Sequence, residues 1–398
     1  MSDKVNNTSD VRTLVKNNTR TYSKYLILPL IAVMFAVLTG GLSLSPRNFS
    51  IIFFLYSYVL ILAVGMALVI LIQRIDLSVG SVCAFVGALS VMIYNTGIGM
   101  PATLICSLAV GVGIGAFHGV WIAFLRVPAF IVTLAGMFLF RALAYIVLTS
   151  ASLRPMDMGY SYIGTGILDE ILSVKRVGQY NPLAFLVAVV VLLFFFIAEI
   201  LGRKKRIAND FKVISLPLFI GKLALFSLLV LGLAERFARY RGLPIVVLVI
   251  LVTVVIFNYI LKYTVLGRYI YAVGGNPNSA RLSGINSDAV TFAVYCIMGG
   301  LTGLAAVVYT GSMNLAVPQA GNLFELDTIA ACYIGGISAS GGIGTIAGAI
   351  IGGLVMSIIN NGMSLMNIDA SYQSAVKALI LLFAIVYDIY SRRRAGLG

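Results

Sequence analysis

The strongest constraint on this chain is a set of long runs that contain no charged residue. Such runs exceed the roughly 18 apolar residues that a membrane-spanning helix requires, and they lie at 51–73, 77–125, 242–261, 289–324 and 328–368. Asp, Glu, Lys and Arg make up only 11% of the residues, against about 25% in a typical soluble domain. The sequence therefore predicts an all-α, polytopic membrane protein and excludes an ordinary soluble domain.

Hydropathy and the basic residues together predict the topology. Ten spans are expected near 25–43, 51–73, 77–98, 101–125, 128–150, 182–201, 217–234, 244–261, 289–312 and 372–390. If the chain starts in the cytoplasm, 18 Lys and Arg residues lie on the cytoplasmic side and 7 on the other, as the positive-inside rule requires. The expected organisation is a basic cytoplasmic tail at 1–24, one transmembrane domain at 25–390 and a basic cytoplasmic tail at 391–398.

The uncharged segment 328–368 is too long for a single span, and its middle contains too few helix-forming residues for two ordinary spans. The 41 residues between Asp327 and Asp369 carry no charge, and the stretch from Gly335 to Gly344 is rich in Gly and Ser. A single helix of that length would measure about 60 Å, twice the thickness of the hydrocarbon layer. We therefore expect a hairpin over 328–360, with two short legs and the turn at Gly341-Gly342 toward the cytoplasm.

Several functional classes are disfavoured by what the chain lacks. It contains no GxxxxGK[ST] motif that would bind ATP, its four cysteines are scattered through apolar segments, and His118 is its only histidine. No metal site or catalytic group is expected. The net charge of +14 is interpreted as a mark of the cytoplasmic side and not as a sign of nucleic-acid binding. An ion-coupled transporter would need an acid at mid-depth, whereas the acids are predicted at span ends.

Two weaker patterns concern Lys222 and an internal repeat. Lys222 lies inside the seventh predicted span, which leaves open whether 182–234 forms two full spans. The glycines of 111–119 resemble those of 348–353, and Asp76 and Asp327 each precede their segment. A repeat of this kind is common in transporters, so the sequence suggests one here.

The cytoplasmic loop 262–288 has the local signals of a short helix. Asn276 can cap it, Pro277 suits its first position, and Gly284 supplies a left-handed stop. A helix of about two turns is marginally stable alone. We therefore expect another protein to pack on it.

At this point the motifs resemble a known family, the permeases of bacterial ABC monosaccharide importers for ribose, xylose or galactose. The resemblance is carried in order by residues 74–81, 127–136, 267–286, 325–331, 335–344, 360–363 and 372–377. It covers roughly 45–150 and 242–390, and the insertion at 151–241 resembles the longer, xylose-type members.

The resemblance implies a transport subunit without enzymatic activity of its own. It implies a homodimer in the bacterial cell membrane with both termini cytoplasmic, served by an ATP-binding cassette subunit and an extracytoplasmic sugar-binding protein. No cofactor is expected in this chain, because ATP and Mg would be bound by the partner. The same architecture carrying a nucleoside or a branched-chain amino acid remains the alternative. The helix in the 262–288 loop would contact the ATPase, through Asn276, Pro277, Ala280, Arg281, Gly284 and Ile285.

The transport pathway should offer hydrogen-bonding groups without unpaired charge, because a monosaccharide is neutral and rich in hydroxyls. The candidates are Ser78, Asn314, Ser338, Asn360, Asn361 and Gln373. Asp76 and Asp327 are expected to brace Ser78 and Thr328 rather than to bind the sugar. Arg141, inside the fifth predicted span, needs a carboxylate or carbonyl partner that the sequence does not identify.

Overall fold

The fold is described from a computed structural model of the chain. The structure describes residues 8–9, 27–209, 211 and 213–394, and of 8–9 and 391–394 only the backbone. The predicted tail at 1–24 lies outside the described residues apart from Thr8–Ser9, and the tail at 391–398 is described only as far as 394.

Helices make up most of the described chain, and strands almost none of it, which confirms the predicted fold class. In chain order they are α1 Ile27–Leu38, α2 Pro46–Leu71, α3 Val79–Ile93, α4 Met100–Gly119, α5 Ala129–Val147, α6 Pro182–Ala208, α7 Leu216–Arg239, α8 Ile245–Tyr263, α9 Val265–Gly275, α10 Pro277–Leu282, α11 Ser287–Met313, α12 Phe324–Ile334, α13 Ile346–Leu365 and α14 Ala370–Arg394. The turns Tyr94–Ile98 and Val120–Phe124 extend α3 and α4, and single turns lie at Leu42–Leu44, Tyr162–Thr165 and Leu168–Ile171. The strands Thr8–Ser9 and Val213–Ile214 form a two-residue parallel pair.

Ten of the described helices are long and apolar enough to cross a membrane, as predicted, but they are not the same ten. The predicted first span, 25–43, is described only as the 12-residue helix α1. The tenth candidate span is instead α13, the second leg of the predicted hairpin, which has 20 residues.

The prediction of two short hairpin legs is therefore wrong for the second leg. The first leg, α12, has 11 residues, whereas α13 is about 30 Å long at 1.5 Å per residue. The reason is the position of the break, because the glycines with left-handed backbone, Gly336, Gly341 and Gly342, fall early in the uncharged run. The two legs pack against each other on either side of a Gly-rich turn, as a hairpin requires, and the direction of the turn toward the cytoplasm stays a prediction.

The contacts divide the described chain into two compact units. The larger contains residues 27–44, 51–166 and 245–394, and the smaller contains 45–50 and 167–244. In the larger unit α11 packs closely along α4, and glycines make this approach possible. A Cβ at Gly111 would overlap the carbonyl oxygen of Gly299, and one at Gly299 would overlap that of Gly111.

The second glycine-rich face has a different partner. Gly348 and Gly352 of α13 lie against Gly335 and Ala331 at the end of α12. The two faces that suggested a repeat thus both permit close helix approach, but the first contacts α11 and the second contacts α12. The repeat itself stays a prediction.

The smaller unit contains an antiparallel helix pair. The helices α6 and α7 pack through stacked rings of Phe195 and Phe226, with centroids 3.9 Å apart, and Lys222 forms a 2.7 Å ion pair with Glu199. Both helices meet the length and hydropathy of a membrane span. Residues 182–234 therefore form two long helices, and Lys222 is compatible with the second because it has a carboxylate partner.

Candidate functional site

Two helices of the larger unit, α3 and α12, begin after a stretch of non-helical backbone. The first stretch, 72–78, is held by Asp76, whose Oδ1 accepts hydrogen bonds from the backbone N–H of Ser78 at 2.8 Å and from its hydroxyl at 2.6 Å. The Tyr295 hydroxyl donates to the carbonyl of Ile75 at 3.4 Å. Non-helical backbone among membrane helices needs such partners, because lipid supplies none.

The second stretch, 314–323, is held by Arg141 of α5. Its guanidinium donates to the carbonyls of Pro318 and Ala320, at 2.6 Å and 2.5 Å. The partner that the sequence left unidentified is therefore a pair of backbone carbonyls. A cation inside a predicted span is explained by the irregular backbone that it stabilises.

Each stretch together with the first turn of the helix that follows it forms a broken segment, and the two broken segments meet at a pair of glycines. A Cβ at Gly321, whose φ is +72°, would overlap the carbonyl oxygen of Gly80, and a Cβ at Gly80 would overlap that of Gly321. Gly321 needs its lack of a side chain both for this contact and for its left-handed backbone. The starts of α3 and α12 are thus in direct backbone contact.

Asp327 is at the centre of a buried polar cluster just inside α12. Its Oδ2 accepts hydrogen bonds from Lys377 at 2.9 Å, from Asn360 at 3.1 Å and from the Tyr58 hydroxyl at 3.3 Å. Asp327 is 0% exposed, and the Tyr58 ring stacks on Phe324 with centroids 3.6 Å apart. Asp327 lies in the first turn of α12, which begins at Phe324, so the prediction that it stands at the end of its segment is confirmed.

This cluster leaves two buried oxygens available. Asp327 Oδ1 and Asn360 Oδ1 have no hydrogen-bond partner within the described part of the chain. Each is an acceptor that a hydroxyl group could donate to. Thr328, which Asp327 was expected to brace, instead donates its hydroxyl to the carbonyl of Phe324 at 2.6 Å.

The other predicted pathway residues have their hydrogen-bond partners in different places. Ser338, in the Gly-rich turn, donates to Asp388 of α14 at 3.2 Å, and Asn314 accepts from Ser161 at 2.7 Å while ending α11 in left-handed conformation. Gln373 donates to the carbonyl of Ile368 at the start of α14, and Asn361 is buried in α13. The structure thus places Asn360 beside Asp327 and Ser78 beside Asp76. The other predicted pathway residues do not join either pair.

The start of α14 carries one exposed acid. Hydrogen bonds from the backbone N–H and the hydroxyl of Ser371 lower the pKa of the Asp369 carboxyl. This acid therefore stays charged at the N-terminal end of α14, where negative charge is favourable.

The helix predicted in the 262–288 loop is present as α10. Asn276 caps it, its side-chain oxygen accepting from the N–H groups of Asn278 and Ser279 at 3.0 Å each. Pro277 is its first residue. Gly284 ends it with φ +82°, and the N–H of Ile285 bonds back to the carbonyl of Ala280 at 3.0 Å.

One face of α10 is attached and the other is open. Ala280 is 4% exposed, whereas Leu282 is 91% exposed. Arg281 forms a 2.6 Å ion pair with Asp288 of the same loop, and Arg126 lies 3.6 Å from the same carboxylate. Apart from Ala280, every residue of α10 is exposed, so most of this short helix is open to solvent.

Comparison with known proteins gives a consistent assignment. A family model described as the permease component of a branched-chain amino acid transport system matches residues 48–212 and 209–385. The chain belongs to this permease family. The xylose transport system permease protein of Escherichia coli K12 is 36% identical to this permease over 374 residues, 93% of this chain and 92% of the relative.

Further relatives cover similar shares of the permease. The xylose transport system permease protein of Haemophilus influenzae is 33% identical over 378 residues, 95% of this chain and 98% of its own. The ribose import permease protein of Escherichia coli K12 is 34% identical over 328 residues, 82% and 81% of the two chains. No solved structure matches the permease.

Sequence reasoning missed the lysine and the tyrosine of the Asp327 cluster. Lys377 enters the sequence analysis only as the last residue of the motif 372–377, with no partner assigned, and Tyr58 is not singled out there. The available signal was that a lysine inside a membrane span needs an acidic partner. Elsewhere, the buried His118 packs edge-to-face on Phe140 at 5.7 Å, and no group of metal-binding side chains occurs among the described residues.

Proposed function

We propose that this permease is the membrane subunit of an ATP-driven importer that carries a monosaccharide, with a pentose such as xylose as the first substrate to test. The observation that carries the proposal is the 33–36% identity to two xylose transport permeases over more than nine-tenths of this chain. The family description names branched-chain amino acids, so these are the competing cargo. The bacterial inner membrane, with both termini in the cytoplasm, is the proposed location.

ATP hydrolysis would take place on a partner subunit that binds ATP and Mg. The support is the α10 loop, whose capped helix has only six residues and is exposed everywhere except at Ala280, since so short a helix is marginally stable alone. Asn276, Pro277, Ala280, Gly284 and Ile285 would hold this helix in the shape that the ATPase recognises. Arg281 would have a secondary role, because it already pairs with Asp288.

The sugar would pass near the junction of the two broken segments in an assembly of two copies of the chain, loaded by a soluble sugar-binding protein. Discontinuous helices are where transporters commonly place their substrate sites. Asn360 keeps its role as a pathway candidate because its buried Oδ1 can still accept a hydroxyl. Ser78 and Ser338 are instead proposed to fix the backbone around the pathway, because each is hydrogen-bonded to an aspartate.

The proposal is tested by reconstituting the permease in liposomes with its ATPase and a loaded sugar-binding protein. ATP-dependent uptake of labelled xylose is expected, and excess unlabelled ribose or leucine distinguishes the cargo classes by competition. Uptake of leucine but not of any pentose would overturn the monosaccharide assignment.

The role of the α10 loop is tested by Gly284→Val. A branched side chain is disfavoured at φ +82° by about 1–2 kcal/mol, so the end of α10 should distort and ATP-driven uptake should fall several-fold. Gly178→Val is the matched control, because Gly178 also has positive φ, +63°, with open space around it. Equal uptake in the two variants would contradict the role of the loop.

A further inference from the structure

Three backbone segments of the larger unit meet at the end of α2. The N–H of Gly342, in the Gly-rich turn, donates to the carbonyl of Leu71 at 2.9 Å. A Cβ at Gly274, near the end of α9, would overlap that same carbonyl oxygen and would lie 2.7 Å from the nitrogen of Gly342. The loop that contains α10 is therefore in direct backbone contact with the turn between α12 and α13.

Gln73 joins two of these segments through its side chain. Its amide nitrogen donates to the carbonyl of Gly274 at 2.8 Å and to the carbonyl of Ser340 at 2.9 Å. One carbonyl belongs to the end of α9 and the other to the Gly-rich turn. A single NH₂ group has two hydrogens, so Gln73 uses both of them to connect these elements.

The backbone of Gln73 is unusual for a residue with a long side chain. Its φ is +61°, and its N–H and that of Arg74 close the end of α2 by bonding to Ile70 and Val69. Glycine is the residue favoured at such a helix end. The cap alone thus explains the backbone conformation but not the choice of glutamine, which the two side-chain hydrogen bonds do explain.

Other contacts continue the connection on both sides. The Tyr271 hydroxyl of α9 donates to the carbonyl of Gly344 at 2.8 Å, and Asp388 of α14 accepts from the N–H of Ala339 at 3.2 Å. The turn is continuous with α12, which carries Asp327. A displacement of α9 and α10 would therefore reach α12 through the turn.

We propose that Gln73 is a positioning residue that transmits movement of the α9–α10 loop to the Gly-rich turn, and so couples ATP hydrolysis to opening of the sugar pathway. This inference rests on the proposed function. It assigns to Gln73 a role in coupling that the motif 74–81, which begins one residue later, did not include.

The test uses the reconstituted complex and measures sugar molecules imported per ATP hydrolysed. Gln73→Gly suits the left-handed backbone but removes both hydrogen bonds, and Gln73→Leu removes them while keeping similar size. Both variants should assemble and hydrolyse ATP, with at least about a fivefold lower import per ATP. Gln73→Lys restores donors at the end of a flexible chain and should recover part of the ratio.

A purely structural role predicts a different pattern. If Gln73 only ends α2, Gln73→Gly should match or exceed the unsubstituted protein in thermal stability and in import per ATP, and that result would overturn the inference. Hydrogen exchange of the amides of 335–344, with and without nucleotide, gives a readout independent of the cargo. The nucleotide-dependent change should be lost in Gln73→Gly, and its persistence would also overturn the inference.

The two proposals fail in distinguishable ways. An unsubstituted complex that hydrolyses ATP but imports no sugar contradicts the proposed function, while the exchange experiment still decides the role of Gln73. An unsubstituted complex that imports sugar, with an unchanged ratio in both Gln73→Gly and Gln73→Leu, contradicts the inference alone.

Discussion

Two lysines inside membrane helices show how differently the two units of this protein accommodate charge. Lys377 of the larger unit lies 2.9 Å from Asp327, with side chains 13% and 0% exposed. Lys222 of the smaller unit lies 2.7 Å from Glu199, with side chains 48% and 30% exposed. The two nitrogen–oxygen distances are nearly equal, so the pairs differ in burial and not in geometry.

The difference follows from what surrounds each pair. Asp327 also accepts hydrogen bonds from Asn360 and Tyr58, as a buried charge must to offset its lost hydration. Glu199 and Lys222 are near the basic end of α6, where Arg203 to Arg206 follow within seven residues. Long charged side chains at a helix end can extend toward the membrane surface, and the smaller pair therefore needs no enclosing network.

The glycines show the same contrast. In the larger unit Gly80 and Gly321 hold two backbones in contact, whereas Gly202, Gly221 and Gly232 of α6 and α7 have no atom within 4 Å of a notional Cβ. The most apolar windows of α2 and α7 are 89% and 6% buried. An added Cβ should therefore be costly at Gly80 and Gly321 of the larger unit, and not at these three glycines of the smaller unit.

The largest expected effect comes from adding one methyl group where the broken segments meet. Gly321→Ala would place a Cβ on the carbonyl of Gly80 at a φ of +72°, and overpacking plus left-handed strain should cost about 2–5 kcal/mol in the free energy of unfolding. Thermal unfolding of the detergent-purified protein measures it. Gly232→Ala is the control, and there alanine should be neutral or stabilising by up to about 1 kcal/mol. Equal melting temperatures for the two variants would contradict the contrast.

A somewhat smaller loss is expected when the buried lysine is removed. Lys377→Met leaves the Asp327 carboxylate buried without its cation, which should destabilise the protein by about 3 kcal/mol, at the lower end for broken buried pairs because Asp327 can take up a proton. The double variant Lys377→Met with Asp327→Asn removes both charges and should regain most of the stability. No recovery in the double variant would show that the lysine stabilises the fold by contacts other than this pair.

Local features of the fold were predictable from the sequence, and the long-range pairs were not. The cap, first residue and stop of α10 follow from Asn276, Pro277 and Gly284, each acting on neighbouring backbone, and the helix is confirmed. Asp327 and Lys377 are 50 residues apart, and their pairing depends on how α12 packs against α14. Arg141 finds its carbonyl partners more than 170 residues away, in a segment whose departure from helix is set by packing and not by composition.

The same limit applies to the proposed pathway. Ser78, Asn360 and Ser338 were selected for their hydrogen-bonding chemistry and for their place in or beside the family motifs, and each proves to have an aspartate as its partner. Sequence reasoning anticipated that Asp76 would hold Ser78, but it could not tell that Asn360 and Ser338 are bonded to Asp327 and Asp388, which are distant in sequence.

The smallest expected effect concerns the exposed lysine. Lys222→Met breaks an ion pair of the same type as Lys377→Met, yet its partners are 48% and 30% exposed, and such pairs contribute below about 1 kcal/mol. Methionine keeps an apolar contact with the Phe195 ring, over which the Lys222 ammonium now lies at 5.9 Å. Thermal unfolding of Lys222→Met, measured beside Lys377→Met in the same detergent and at two salt concentrations, should show a shift several-fold smaller. A loss as large as that of Lys377→Met would mean that Glu199 is as poorly solvated in the assembled protein as Asp327, and that another surface covers this face of α6 and α7.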